Sequence, residues 1–76
     1  MAEKSIEERE LRAQKATSLE ELEILAKDDG SYVRYFVAKN ENTPVPVLEK
    51  LAEDKEVIVR SGVAENKNTP VTLLPV

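Results

Sequence analysis

Residues 22–44 read LEILAKDDGSYVRYFVAKNENTP, and residues 48–70 read LEKLAEDKEVIVRSGVAENKNTP. The second stretch repeats the first in a constant register, from Leu22 aligned with Leu48 to Pro44 aligned with Pro70, and 16 of 34 positions are identical when 17–50 is compared with 43–76. Self-similarity at a fixed period is typical of a solenoid, in which each unit buries its apolar face against its neighbours. The sequence therefore predicts a repeat protein with a 26-residue unit.

The apolar residues of each copy follow the period of a helix. Leu22, Leu25 and Ala26 share one helix face, and in the next segment Val33 and Val37 share another. We therefore predict an all-α fold of paired short helices without strands. The predicted buried spine consists of Leu25, Val37, Leu51 and Val63.

Residues with helix-capping chemistry set the predicted boundaries. Ser5 with Glu8 has the pattern of a capping box, for a first helix ending near Ala16, and Thr17 or Ser18 is expected to cap the second. We expect Asp28, Asp29 and Gly30 to end that helix, with Gly30 able to adopt a positive φ, and Ser31 to cap the third. Thr43 and Thr69, each followed by proline, are predicted caps of the later helices.

Both ends of the chain depart from the repeat. In the single predicted domain, 1–76, residues 1–16 form an N-terminal capping helix, 17–43 repeat 1, 44–69 repeat 2, and 70–76 an incomplete repeat 3. The capping helix has Ile6, Leu11 and Ala13 as its apolar positions, and the repeat register aligns Leu11 with Val37. A charged outer face suits a terminal cap.

The C-terminal segment has apolar side chains and no charge after Lys67. We expect it to begin a sixth helix that the chain does not complete. The segment can fold back over the preceding repeat, fray, or meet another chain. Leaving an apolar face in water is costly, so among these outcomes we expect self-association through this end. The residues concerned are Val71, Leu73, Leu74 and Val76.

Composition excludes several kinds of chemistry. With no cysteine, the chain has no thiolate nucleophile and no cysteine-bound metal. With no histidine, it also lacks the residue that most often serves as a general base. No catalytic, metal or cofactor site is therefore expected, and the predicted protein is not an enzyme. A net charge of −4 disfavours nucleic acid and anionic membranes as partners. Without an apolar run of membrane-spanning length, a cytoplasmic location is the expectation.

The order Leu-Ala-x-Asp, Val-Arg, Val-Ala-x-Asn and Thr-Pro in residues 22–44 and 48–70 resembles the leucine-rich repeat variant family, a HEAT-like group. The resemblance covers about residues 17–76. It implies a short right-handed α-solenoid of stacked helical hairpins, in which one helix of a pair is often a 3₁₀ helix. It also implies that a turn aspartate accepts hydrogen bonds from helix N-terminal amides while an arginine bridges successive repeats. These residues are Asp28, Arg34, Asp54 and Arg60.

A scaffold that binds another protein is the predicted function. Tyr35 and Lys39 are the candidate contact residues, because the helical wheel places them opposite Val33 and because aromatic side chains are enriched among interface anchors. The alternative is nucleic-acid binding, which requires five basic residues to gather on one face. They are Arg34, Lys39, Lys50, Arg60 and Lys67.

Overall fold

The computed structural model describes residues 5–74, and over this range it is all-helical, with no strand. Its five α-helices are α1 Ile6–Lys15, α2 Leu19–Leu25, α3 Ser31–Lys39, α4 Val45–Leu51 and α5 Val57–Glu65, followed by a 3₁₀ turn, Val71–Leu73. The fold class predicted from helical periodicity is confirmed at this level.

The odd-numbered helices pack in a row. α3 lies in the middle, with α1 against one side and α5 against the other, and the α3–α5 junction is the most extensive. α2 contacts α1 and α3, and α4 contacts α3 and α5, so each even helix lies beside the pair that flanks it in the chain. The Cα atoms extend over 45 × 22 × 15 Å.

The core contains the predicted spine. Val37 and Val63 are 0% and 1% exposed, and Leu25 and Leu51 are 6% and 3% exposed, so this prediction is confirmed. The largest fully buried side chains are Leu22, Leu48, Val33, Val37, Val59 and Val63, which come from repeated positions of the sequence.

The predicted caps of α1 and α2 are correct, and the one predicted for α3 is wrong. Ser5 and Glu8 form the capping box, and Ser18 caps α2 by accepting from the Glu21 amide. Gly30, in contrast, has a φ of −76° and is itself the N-cap of α3, so Ser31 is the first helical residue rather than the cap. No left-handed residue is needed after α2, because i→i−3 hydrogen bonds close the turn that follows it.

The two threonines before proline do not cap the helices that follow. Pro44 is the N-cap of α4, and Thr43 is buried, with its hydroxyl donating to the Val37 carbonyl at 2.6 Å. Thr69 donates to the Val63 carbonyl at 2.7 Å in the same way. Each threonine therefore ties its loop back to the preceding odd helix, and this use of the hydroxyl overrides the capping preference.

The expected register of the first helix is wrong. Leu11 is 49% exposed, whereas Val37, with which the repeat aligns it, is fully buried. Ala13 and Ala16 supply the buried surface of this segment instead. The register of this helix is shifted by one residue. Arg9, and not Glu8, occupies the position that Arg34 has in the next unit, as the contact of Arg9 with Asp28 shows below.

The C-terminal segment forms a 3₁₀ turn rather than the start of an α-helix. Leu73 and Leu74 are half-buried and Val71 is 80% exposed. Val76, included in the expected self-association surface, lies outside the described residues. No helix between residues 5 and 74 has the length and hydrophobicity needed to cross a bilayer.

Candidate functional site

An arginine–aspartate pair links the two repeats. Arg34 on α3 donates from Nε to Asp54 Oδ2 at 2.8 Å and from Nη2 to Asp54 Oδ1 at 3.2 Å. Its third nitrogen, Nη1, donates to the Asp28 backbone carbonyl at 2.7 Å. The arginine therefore contacts the backbone of its own repeat and the carboxylate of the next.

The same arrangement occurs at the α1–α3 junction. Arg9 donates from Nε to Asp28 Oδ2 at 2.8 Å and from Nη2 to Asp28 Oδ1 at 3.3 Å. Arg60 repeats the half of the pattern that lies within one unit, with Nη1 donating to the Asp54 carbonyl at 2.7 Å. Sequence analysis singled out the two aspartates and the two later arginines but did not identify Arg9, which the repeat register misses by one position.

Each aspartate also fixes the start of the helix that follows it. Asp28 Oδ1 accepts from the Gly30 amide at 2.8 Å, and Asp54 Oδ1 accepts from the Glu56 amide at 2.9 Å. Burial alone would raise the pKa of both carboxyl groups, but the arginine and amide hydrogen bonds outweigh it and hold each pKa below its ordinary value. Both aspartates are therefore ionised acceptors whose oxygens are already occupied.

Two buried asparagines satisfy backbone groups of the neighbouring unit. Asn66 Nδ2 donates to the carbonyls of Ala38 and Asn40 at 2.8 and 3.0 Å, and Oδ1 accepts from the Asn68 amide at 2.8 Å. Asn40 Nδ2 likewise donates to the carbonyls of Ala13, within α1, and Ala16, just after it, and Oδ1 accepts from the Asn42 amide. These side chains are structural, because both polar atoms of each amide group are used within the chain.

Tyr35 and Lys39 lie together at the α3–α5 junction. The Tyr35 hydroxyl donates to Glu65 Oε1 at 3.3 Å, and Lys39 Nζ lies 3.6 Å from the same oxygen and 5.5 Å from the centre of the Tyr35 ring. Contact with the Tyr35 hydroxyl and the Glu65 carboxylate raises the pKa of Lys39 above its ordinary value. The two predicted contact residues are thus brought into one charged and aromatic cluster.

Tyr35 is less exposed in the structure than the helical wheel indicates. Tyr35 is half-buried because α5 approaches it through Gly62, where an added Cβ would lie 3.0 Å from Tyr35 Cδ1 and 2.9 Å from its carbonyl oxygen. The sequence signal for this close approach was the presence of Gly62 in the second repeat where the first has Phe36.

A second tyrosine extends the cluster outward. Tyr32 is 51% exposed, and its ring meets the Tyr35 ring edge-on with centroids 5.9 Å apart. The Phe36 ring also contacts Tyr35, with centroids 5.1 Å apart, and is half-buried against the core. We define the aromatic surface as Tyr32, Tyr35 and Lys39.

Three of the five basic residues needed for nucleic-acid binding are paired with acids, and between residues 5 and 74 Lys50 and Arg60 form no ion pair. Arg34 is held by Asp54, Lys39 contacts Glu65, and Lys67 Nζ lies 3.5 Å from Glu41 Oε1. Pairs of this kind leave little positive potential for a phosphate backbone.

One groove lies between α2 and α4. It has a volume of about 240 Å³, an apolar floor that includes Ala26, Val47 and Leu51, and a rim with both signs of charge. Over residues 5–74 no group of acidic side chains is arranged to hold a metal ion, and no buried side-chain nitrogen or oxygen lacks a hydrogen-bond partner. The groove therefore offers apolar contact without a converging reactive group.

Comparison with known proteins adds no relative, since no family model, curated protein or solved structure matches this chain.

Proposed function

We propose that the chain is a non-enzymatic helical repeat scaffold that binds another protein through the aromatic surface. We further propose that its architecture is a short right-handed α-solenoid of the leucine-rich repeat variant type. The row of α1, α3 and α5 supports this architecture, as does the arginine that joins each unit to the next aspartate.

The observation that carries the function is the contrast between the repeated polar residues and the aromatic surface. Arg34, Asp54 and Asn66 use their polar atoms inside the chain, so none is free for substrate or ligand. Tyr32 keeps half of its surface in water although its ring is held against Tyr35. A rigid, partly exposed tyrosine loses little conformational entropy on binding, which suits an interface anchor.

Mixed polarity of the aromatic surface favours a protein over other partners. Lys39 lies over the Tyr35 ring and is 45% exposed, so an acidic side chain of a partner can replace or share its contact with Glu65. A peptide or loop with one acidic and one apolar residue has the chemistry to match these groups. Duplex nucleic acid does not, because Glu65 lies at the same place.

The test is comparative capture from a lysate of the source organism by the immobilised chain. A genuine partner is retained by the wild type and by a control variant at the exposed Glu49 of α4, Glu49→Ala. Its retention falls about tenfold or more with Tyr32→Ala or Lys39→Ala, which corresponds to about 1.4 kcal/mol or more of binding free energy. Both substitutions are at exposed positions, and thermal melting checks that each variant folds.

Two results would contradict the proposal. One is that no captured protein distinguishes Tyr32→Ala from the wild type. The other is that the chain binds duplex DNA with an affinity that falls steeply with salt, since counterion release is the signature of phosphate contacts.

A further inference from the structure

The outer face of α5 repeats the face of α3 that α5 covers. We define the tail face by four residues of α5, each aligned by the repeat with a residue of α3. They are Val57, Arg60, Ser61 and Ala64, aligned with Ser31, Arg34, Tyr35 and Ala38 respectively. On α3 this face is an internal junction, where Arg34 binds Asp54 and where Gly62 lies against Tyr35 and Ala38.

No residue between 5 and 74 covers the tail face in the same way. Ala38 is fully buried, whereas Ala64 is exposed and Val57 is 67% exposed. Arg60 makes the backbone contact to Asp54 that its position requires, yet within the described chain no carboxylate contacts it as Asp54 contacts Arg34. The tail face thus has the chemistry of half a junction.

The chemistry of a covering helix follows from the α3–α5 junction. At that junction a large side chain, Tyr35, packs on a residue without one, Gly62. On the tail face the equivalent of Tyr35 is the small Ser61, so the covering helix needs a large apolar residue at that point. An acidic residue on the same side is needed for Arg60.

The exposed face of α1 provides both groups. We define the head face as Glu7, Leu11 and Gln14, which align with Ile58, Gly62 and Glu65 when Arg9 is matched to Arg34 and Arg34 to Arg60. Of these, Gly62 and Glu65 contact Tyr35 and so lie on the side of α5 that packs on α3. Leu11 is 49% exposed and is aligned with Gly62. Glu7 is exposed and lies one turn earlier, toward the helix start, and the corresponding end of α5 is the one near which Asp54 meets Arg34.

We infer that this chain associates head to tail with a second copy of itself, the head face of one copy packing on the tail face of another. Leu11 covers Ser61 and Ala64, and Glu7 pairs with Arg60. The contact uses neither Tyr32 nor Lys39, so it goes beyond the proposed partner binding. Because the two faces differ, the interface is heterologous and does not close in a dimer, and assemblies lengthen with concentration.

The test combines two variants that each block one face. Ala64→Arg places a bulky cation on the tail face, and Leu11→Arg does the same to the head face; both positions are exposed, so the fold is retained. The matched control is Glu49→Arg, a new cation on the exposed side of α4. Sedimentation equilibrium from about 10 µM to about 1 mM covers the affinity range of a single helix–helix contact.

For the wild type and Glu49→Arg, we expect an average mass that rises above 8.5 kDa with concentration. Each blocked variant alone stays at 8.5 kDa, while their equimolar mixture forms a species of twice that mass through the one intact pair of faces. A monomeric wild type at about 1 mM, or a mixture that remains monomeric, would overturn the inference. So would association that survives Ala64→Arg but is abolished by replacing Leu73 and Leu74 with serine, because the apolar C-terminal segment would then be the contact.

Discussion

Replacing Asn66 by alanine tests whether buried asparagines hold the repeat units together. The substitution removes three hydrogen bonds: two that Nδ2 donates to the Ala38 and Asn40 carbonyls and one that Oδ1 accepts from the Asn68 amide. Asn66 is 6% exposed, so water does not readily replace the lost partners. Each net hydrogen bond contributes about 0.5–1.5 kcal/mol, and a buried group left unpaired costs about 1–3 kcal/mol.

We therefore expect Asn66→Ala to lower the free energy of unfolding by about 2–4 kcal/mol. For a domain of this size such a loss is a large share of the total stability, and it lowers the melting temperature by about 10–25 °C. Urea denaturation followed by circular dichroism of the helical signal measures it. The control is Asn68→Ala, whose side chain is exposed and donates only to the Glu41 carbonyl, at 2.9 Å; we expect a loss below about 1 kcal/mol.

A second variant separates the donors from the acceptor. Asn66→Asp keeps an oxygen for the Asn68 amide but replaces the donating nitrogen with an oxygen that faces two carbonyls. We expect it to lose at least as much stability at neutral pH as Asn66→Ala does. If the free energy of unfolding of either variant lies within about 0.5 kcal/mol of the wild-type value, the asparagine contacts do not hold the units together and the reasoning is refuted.

Three further measurements follow from the α1–α3 and α3–α5 junctions. Arg34→Ala breaks its pair with Asp54, whose side chains are each 11% exposed, so we expect the free energy of unfolding measured in urea to fall by about 2–4 kcal/mol. For the exposed Arg60, Arg60→Ala should lower it by less than about 1 kcal/mol. Equal losses for the two variants would contradict this prediction. Gly62→Ala places a Cβ 2.9 Å from Ala38 Cβ and should destabilise the protein by about 1–3 kcal/mol despite alanine's helix propensity. The control Ser61→Ala should change stability by less than about 0.5 kcal/mol. A Gly62→Ala variant more stable than the wild type would refute the close approach. The folded pKa values of Asp28 and Asp54 lie below the ordinary 3.8, so their contribution to the free energy of unfolding is complete above that pH and is lost as the pH falls through the folded pKa. Urea titrations from about pH 5 to about pH 2 should show this loss of stability, and Asp54→Asn should make the pH dependence shallower.

Helices and core were predictable because they depend on local spacing. Leu25 and Val37 recur at one period in both copies, and any arrangement that buries one copy buries the other. Cap details were less predictable, since Thr43 can cap the following helix or bond back to the preceding one. Thr43 bonds back because its hydroxyl lies next to the Val37 carbonyl, and that proximity is visible only in the folded structure. Gly30 misled because a glycine after a helix suggests a positive φ, yet here it starts α3.

Contacts between units were harder to predict than the units themselves. Sequence analysis singled out Tyr35 as a residue facing away from the core, but a repeat pattern does not say which side the neighbouring unit covers. The structure shows that α5 covers it from the side of Gly62. The exposure of Tyr32 was missed for the same reason: the wheel placed it nearer the core, whereas in the structure it is 51% exposed.

What the two junctions share is the contact and not the number of residues between its partners. Arg9 and Asp28 are 19 residues apart and Arg34 and Asp54 are 20 apart, yet both pairs join Nε to Oδ2 at 2.8 Å. A search at a fixed period consequently misplaces α1, whereas a search for an arginine opposite the next aspartate finds it. Three arginines of the described chain, Arg9, Arg34 and Arg60, occupy this repeated position, and two aspartates, Asp28 and Asp54, meet the first two. Arg60 is the third, and its unmatched position is why the tail face, and not only the apolar C-terminal segment, is where a further helix would pack.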